Sequence, residues 1–226
     1  MHPLESDAPL IVYLDVKSPY ALVAVQPTLA LESELGLAFD WRPLTLDIPS
    51  FLGSAEKRDG KVVQSCGRSD RIWRAIRYSY LDARRYAERQ GLMLKGTEKI
   101  WDSRIANIAI LWAMKTDRSK LPDYLNTVFP PFWRRELDIE DIAVVQECLS
   151  RAGISTIGFE GFVTSEGGQA HDSLQGLFHE HGLYGVPSYV LDGEVLRGRE
   201  HIPYLRWRLS GSIGEAPDIA YELPAC

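Results

Sequence analysis

The chain has 226 residues, 45% of them hydrophobic and 25% charged, with a formal net charge of -6. That length suits one large domain, or one domain with a sizeable insertion, and that composition buries a full core. The acidic balance argues against nucleic-acid binding, which needs a concentrated basic surface. The three cysteines, Cys66, Cys148 and Cys226, stand far apart with no Cys-x-x-Cys, so neither a disulfide framework nor a thiolate zinc site is expected. The chain starts Met-His-Pro-Leu-Glu-Ser-Asp and shows no basic leader and no long apolar run. These features predict no signal peptide, no membrane span, and a cytoplasmic protein with reduced thiols.

Residues 9–16 alternate and are β-branched enough for a strand. Residues 19–35 place Leu22, Val23, Val25, Leu29 and Leu31 in a buried helical pattern closed by Gly36. Residues 37–46, with Phe39, Trp41 and Leu44, predict a second strand. The two strands should be parallel with a right-handed crossover. Residues 48–71, with Pro49, Gly53, Gly60 and Gly67, predict a long functional loop. Helical periodicity dominates from 72 to about 149, with interruptions expected at Gly91, Pro122 and Pro130-Pro131. Residues 159–181 predict one more helix. A hairpin turning at Asp192-Gly193 follows over 186–196, then a closing helix over 202–209 and a peripheral tail over 212–226. That order is an α/β, thioredoxin-like fold with an all-helical domain inserted between its βαβ and ββα halves. The expected division is 1–71 and 182–226 for the discontinuous thioredoxin-like domain, and 72–181 for the insertion.

Within this order Ser18-Pro19-Tyr20-Ala21 opens the first helix, where thioredoxin-like proteins carry their reactive Cys-x-x-Cys. With Ser18 and Ala21 at the two cysteine positions, dithiol chemistry is impossible there, since exchange requires a thiolate. What remains is a hydroxyl at a helix N-terminus, which favours an anion; an ordinary N-cap serine reads the same way. Far downstream, Gly185-Val186-Pro187 predicts a cis-proline loop. Its Val186 backbone would be free to pair with an extended peptide; a purely structural turn is the alternative.

Five pieces of the chain, in order, resemble the family of kappa-class glutathione transferases and 2-hydroxychromene-2-carboxylate isomerases, relatives of the DsbA oxidoreductases. They are Ser18-Pro19-Tyr20, Arg42-Pro43-Leu44, the series Tyr78, Asp82, Arg85, Ala87, Gly91, then Gly185-Val186-Pro187, and Gly198-Arg199-Glu200-His201. The resemblance spans residues 10–209 and implies glutathione as cofactor, a small aromatic or electrophilic substrate, and a homodimer as an open expectation. It implies that Ser18 favours the thiolate of bound glutathione, which adds to the substrate, allows bond rotation and is expelled. A transferase would release the adduct instead.

The resemblance further implies that Val186 and Pro187 hold the cysteinyl portion, that Gly198 and Arg199 offer N–H groups to the γ-glutamyl carboxylate, and that Glu200 meets its amino group. A solvated helix start explains Arg199 and Glu200 equally well. The family's Lys for the glycine carboxylate falls on Ala75, with Arg71, Arg74 or Arg77 as substitutes. Lys17 is a candidate to steady an anionic substrate or the thiolate, or else a surface lysine. Tyr20 and Asn107 are candidates to face the substrate, Asn107 alternatively being a satisfied core amide. His171, His179, Glu180 and His181 lack a completing ligand, so no metal is expected. Trp73, Trp101, Trp112, Trp133 and Tyr80 should line the junction of the two halves, some of them walling an apolar pocket. DsbA-type exchange is nearly excluded, while a non-catalytic thioredoxin-like binding protein stays open.

Overall fold

The computed structural model describes residues 1–58 and 61–217. Strand β1 (Ile11–Leu14) is apolar and buried along its whole length, as a strand covered on both faces must be. It leads into helix α1 (Pro19–Leu35). Pro19 fits the first turn, where its missing N–H costs nothing, and Gly36 at φ 61° ends the helix in the left-handed region. Strand β2 (Asp40–Pro43) returns parallel to β1, with Val12 opposite Trp41. The expected βαβ unit is present.

Residues 48–71 are not a loop. They form a short helix α2 (Ile48–Leu52) and an antiparallel hairpin of strands β3 (Ser54–Arg58) and β4 (Lys61–Cys66). Strand β4 is exposed throughout, so no face is buried to impose the apolar alternation that marks a strand. Six helices follow: α3 (Asp70–Arg89), α4 (Arg104–Asp117), α5 (Leu121–Trp133), α6 (Ile142–Arg151), α7 (Phe159–Thr164) and α8 (Glu166–Leu177). Two differences from the sequence expectation have local causes. Pro122 starts α5 instead of interrupting it, and α5 runs through Pro130 and Pro131. The Thr127 carbonyl, four residues before Pro131 and so without its helical N–H, takes the Cys148 thiol at 3.6 Å. The helix expected over 159–181 breaks at Ser165, where Gly167 lies so close to the Phe162 ring that a side chain would collide with it.

Strand β5 (Ser188–Leu191) pairs antiparallel with β1 and with β6 (Glu194–Arg197), giving one four-stranded sheet in the order β2-β1-β5-β6. Helix α9 (Ile202–Leu209) closes the fold, and the end of the expected tail, with Cys226, lies outside the described residues. A continuous core runs from the sheet into the helices, through Val12, Leu22, Ile108, Phe129 and Leu205. Among the described residues no helix is long and apolar enough to cross a membrane.

Candidate active site

The site grows from the end of β1, where the chain turns through Asp15, Val16 and Lys17 before α1 begins. Ser18 is 3% exposed. Its Oγ accepts from the Ala21 N–H at 3.2 Å and donates to the Val186 carbonyl at 3.4 Å. The Val186-Pro187 bond is cis. The two loops singled out in the sequence therefore meet, with a hydroxyl between them at the positive end of a helix. No sulfur stands at position 18 or 21.

A cavity of 1470 Å³ opens above this junction. Lys17, Ser18, Tyr20 and Val186 belong to its lining, with Leu44 and Leu46 after β2, Trp73, Ile76 and Tyr80 on α3, and Trp101 before α4. Of the five aromatics expected at the junction, Trp73, Trp101 and Tyr80 reach this cavity. Trp133 is buried and donates to the Val16 carbonyl at 3.1 Å. Trp112 packs against Phe159 and Phe162. Among the described residues the lining includes six cationic side chains, Lys17, Arg68, Arg77, Arg84, Lys99 and Arg197, against the two carboxylates Asp47 and Glu98. An acidic protein has gathered positive charge in this cavity, which raises the local concentration of anions. Ala75 lines the cavity with Arg77 two residues on, whereas Arg71 and Arg74 are not part of it.

Beneath the floor lies a polar network that the sequence did not disclose. Asp15 is fully buried. Its carboxylate accepts from Ser103 Oγ (2.5 Å), Asn107 Nδ2 (3.0 Å), Leu46 N–H (2.8 Å) and Lys17 N–H (3.2 Å). Asn107 also accepts from the Val16 N–H and donates to Thr45 Oγ1. Thr45 Oγ1 is 2.8 Å from His171 Nε2, and His171 Nδ1 is 2.9 Å from Asp172. Burial lowers the His171 pKa, opposed by its bond to Asp172, so neutral imidazole is the form that fits between these partners. Asn107 is thus committed to holding the β1–α1 turn and does not line the cavity. His171 is bound by hydrogen bonds, and His181 Nδ1 lies 2.9 Å from the Leu177 carbonyl.

Tyr20 lines the cavity and donates to Asp82 Oδ2 at 3.3 Å. Burial first, then the Asp82 carboxylate, push its pKa up to about 12, so it stays a protonated donor at any physiological pH. Pro187, Gly198, Arg199 and Glu200 are not part of the described lining. The Gly198 N–H donates to the Pro187 carbonyl at 2.9 Å, tying this segment to the cis-proline loop. Gly198 has φ 109°, a conformation open to glycine, and the Glu200 carboxylate packs over it where a side chain would otherwise stand. The Arg199 guanidinium lies 3.8 Å over the Tyr86 ring. It also reaches the Val23 carbonyl at 3.5 Å, beside Gln90 Nε2 at 2.9 Å. Pro27 inside α1 has no N–H for that carbonyl, which gives the Arg199 side chain a structural task. Arg197 stacks 4.7 Å over Tyr184. It also covers Gly185, where a Cβ would come within 2.5 Å of its Nε.

Comparison with known proteins follows this geometry. No curated protein sequence matches the chain. Among solved structures, 2-hydroxychromene-2-carboxylate isomerase superposes with a TM-score of 0.66 at 19% identity, over 89% of this chain and 94% of its own. A probable DsbA oxidoreductase from Streptomyces coelicolor gives 0.64 at 17% identity, over 91% of each chain. The cytosolic disulfide reductase DsbM from Pseudomonas aeruginosa, solved with GSH, gives 0.51 at 15% identity, over 83% of this chain and 87% of its own. At these identities the likeness is one of fold. The model of the DSBA-like thioredoxin domain matches residues 9–210: the chain belongs to that family, as a member with serine and alanine where a dithiol would stand.

Proposed function

We propose that this protein is a glutathione-dependent enzyme acting on a small aromatic compound, an isomerase of the 2-hydroxychromene-2-carboxylate type before a transferase. The observation that carries this reading is Ser18: a buried hydroxyl at the start of α1, aimed at the Val186 carbonyl, at the foot of a 1470 Å³ cavity with aromatic walls. A disulfide exchanger needs a thiolate at that point. Here the sulfur would arrive with a bound molecule, since among the described residues neither Cys66 nor Cys148 lines the cavity.

The donor set suits a tripeptide with one thiol, two carboxylates and one ammonium. The Val186 backbone would hold the cysteinyl segment strand-fashion, with Ser18 facing only its sulfur. Arg77, next to the family's lysine position at Ala75, would take the glycine carboxylate through a guanidinium fork. Glu200, near enough for its charge to act on the Tyr20 phenol, would take the γ-glutamyl ammonium, with Gly198 and Arg199 at the neighbouring turn. Glutathione supplies, when bound, a thiolate nucleophile that is returned at the end of an isomerisation. Ser18 turns its hydrogen from the Val186 carbonyl to that sulfur and, with the helix end, favours the ionised form. The aromatic walls hold the second compound against it and keep out water.

Thermal melting of wild type and Ser18→Ala with and without glutathione, joined to turnover, tests this. A hundredfold excess over Kd should stabilise both proteins by about 2.7 kcal/mol, because the peptide contacts do not depend on the hydroxyl. Turnover of a chromene carboxylate should fall about tenfold or more in Ser18→Ala, one pKa unit in the thiol being a factor of ten. A thioether product would identify the transferase version. Absence of any melting shift in the wild type would leave a thioredoxin-like binding protein without catalysis.

A further inference from the structure

Lys17 is a cavity-lining cation whose side chain is nearly buried. Its side chain is 8% exposed, and the nearest carboxylate, Asp15 Oδ2, lies 4.0 Å from its Nζ. Among the described residues no acceptor lies within hydrogen-bond distance of that ammonium. Asp15 already receives four hydrogen bonds from Ser103, Asn107, Leu46 and the Lys17 backbone, so the ammonium is not needed to satisfy it. A largely desolvated ammonium whose ion-pair partner Asp15 stands off at 4.0 Å, too far for a hydrogen bond, gains from an anion that comes closer. Arg77 and Arg197, by contrast, are exposed, and solvent screens their charge.

The sheet order says which bound molecule Lys17 addresses. Strand β1 has β5 on one side and β2 on the other. The Ser18 hydroxyl points to the β5 side, to Val186. The Lys17 ammonium points to the β2 side, where Asp15 Oδ2 receives the Leu46 N–H and the cavity continues along Leu44 and Leu46. A thiol seated on Val186 and an anion on Lys17 would therefore lie on opposite flanks of the β1–α1 turn.

We infer that Lys17 is a catalytic residue that pairs with negative charge on the second, aromatic substrate, while Ser18 serves the thiol. This rests on the reading of the site given above. Addition of any thiolate to a carbon conjugated with a carbonyl forms the C–S bond and moves one electron pair onto the carbonyl oxygen; elimination breaks the bond and returns the pair. The Lys17 ammonium meets that oxygen as an ion-pair partner and keeps its proton. The same group selects substrates that carry an anionic oxygen in the ground state.

Isothermal titration of the protein without glutathione, using 1-naphthoate and its neutral analogue 1-naphthamide, tests the assignment by binding alone. Wild type should prefer the acid by roughly tenfold or more, the scale of one hydrogen bond to a charged group. Lys17→Met and Lys17→Gln should abolish the preference, and Lys17→Arg should restore it. Both neutral variants should keep the glutathione melting shift and the wild-type far-ultraviolet circular dichroism. No preference in wild type, or an equal preference in Lys17→Met and Lys17→Gln, overturns the inference. A Lys17-dependent preference in a protein that glutathione does not stabilise would leave Lys17 assigned and remove the thiol cofactor. If the neutral variants do not fold, absence of an acid preference in wild type, or its loss in Lys17→Arg, still overturns the inference.

Discussion

Ser18 has both its hydrogen-bonding capacities in use, accepting from Ala21 and donating to Val186, yet the donated bond is long at 3.4 Å and therefore cheap to exchange. Its motif was legible because Ser18, Pro19, Tyr20 and Ala21 are contiguous, and Lys17 and Tyr20 came with it. Asp15, Thr45 and His171 were not legible as a group, because their partnership joins three segments that only the fold brings together. His171 carries a test of that network. Its pKa is lowered by burial, so below the ordinary value of about 6.5 the unfolded chain takes up a proton that the folded protein refuses. The contribution is fully present above that value and is lost as pH falls through the window beneath it. Stability from urea titrations should drop between pH 7 and pH 5 in wild type. The drop should be smaller in His171→Gln, which has nothing to protonate; equal slopes would place the sensitivity elsewhere. At Gly198, with φ 109° and the Glu200 carboxylate packed against it, Gly198→Ala should cost about 1–3 kcal/mol in the same titration.

At the scale of elements, what the sequence showed was what burial enforces. Strand β1, helix α1 and the β5–β6 hairpin carry apolar patterns because each has a covered face. Strand β4 has no such face, so no apolar alternation marks it off from a loop. The break between α7 and α8 had a signal in Gly167-Gly168, which the longer helical pattern masked. There Gly167 touches the Phe162 ring and Gly168 the Val163 carbonyl, each too closely for a side chain. Gly167→Ala should cost about 1–3 kcal/mol as an overpacking substitution. An unchanged urea midpoint would show that the two helices can separate without loss.

For the molecule as a whole, the helices between β4 and β5 are tied to the sheet at its functional edge. Trp133 donates to the Val16 carbonyl, Asn107 accepts from the Val16 N–H, and Ser103 meets Asp15. The turn that presents Lys17 and Ser18 is therefore held from the helical side as firmly as from its own strand. Asn107→Ala would strand the Val16 N–H and weaken the satisfaction of Asp15, at a cost of about 2–3 kcal/mol. Urea unfolding should remain a single transition in wild type and in this variant, since the core is continuous; two transitions would show the helices and the sheet to be independent. On the proposed reading, a protein with no thiol of its own at α1 ionises a borrowed one. The most direct test is the thiolate absorbance of glutathione near 240 nm, titrated against pH free, bound to wild type, and bound to Ser18→Ala. The titration should be displaced to lower pH on wild type and returned towards the free value by Ser18→Ala. A bound thiol that titrates as it does in solution on both proteins would contradict it.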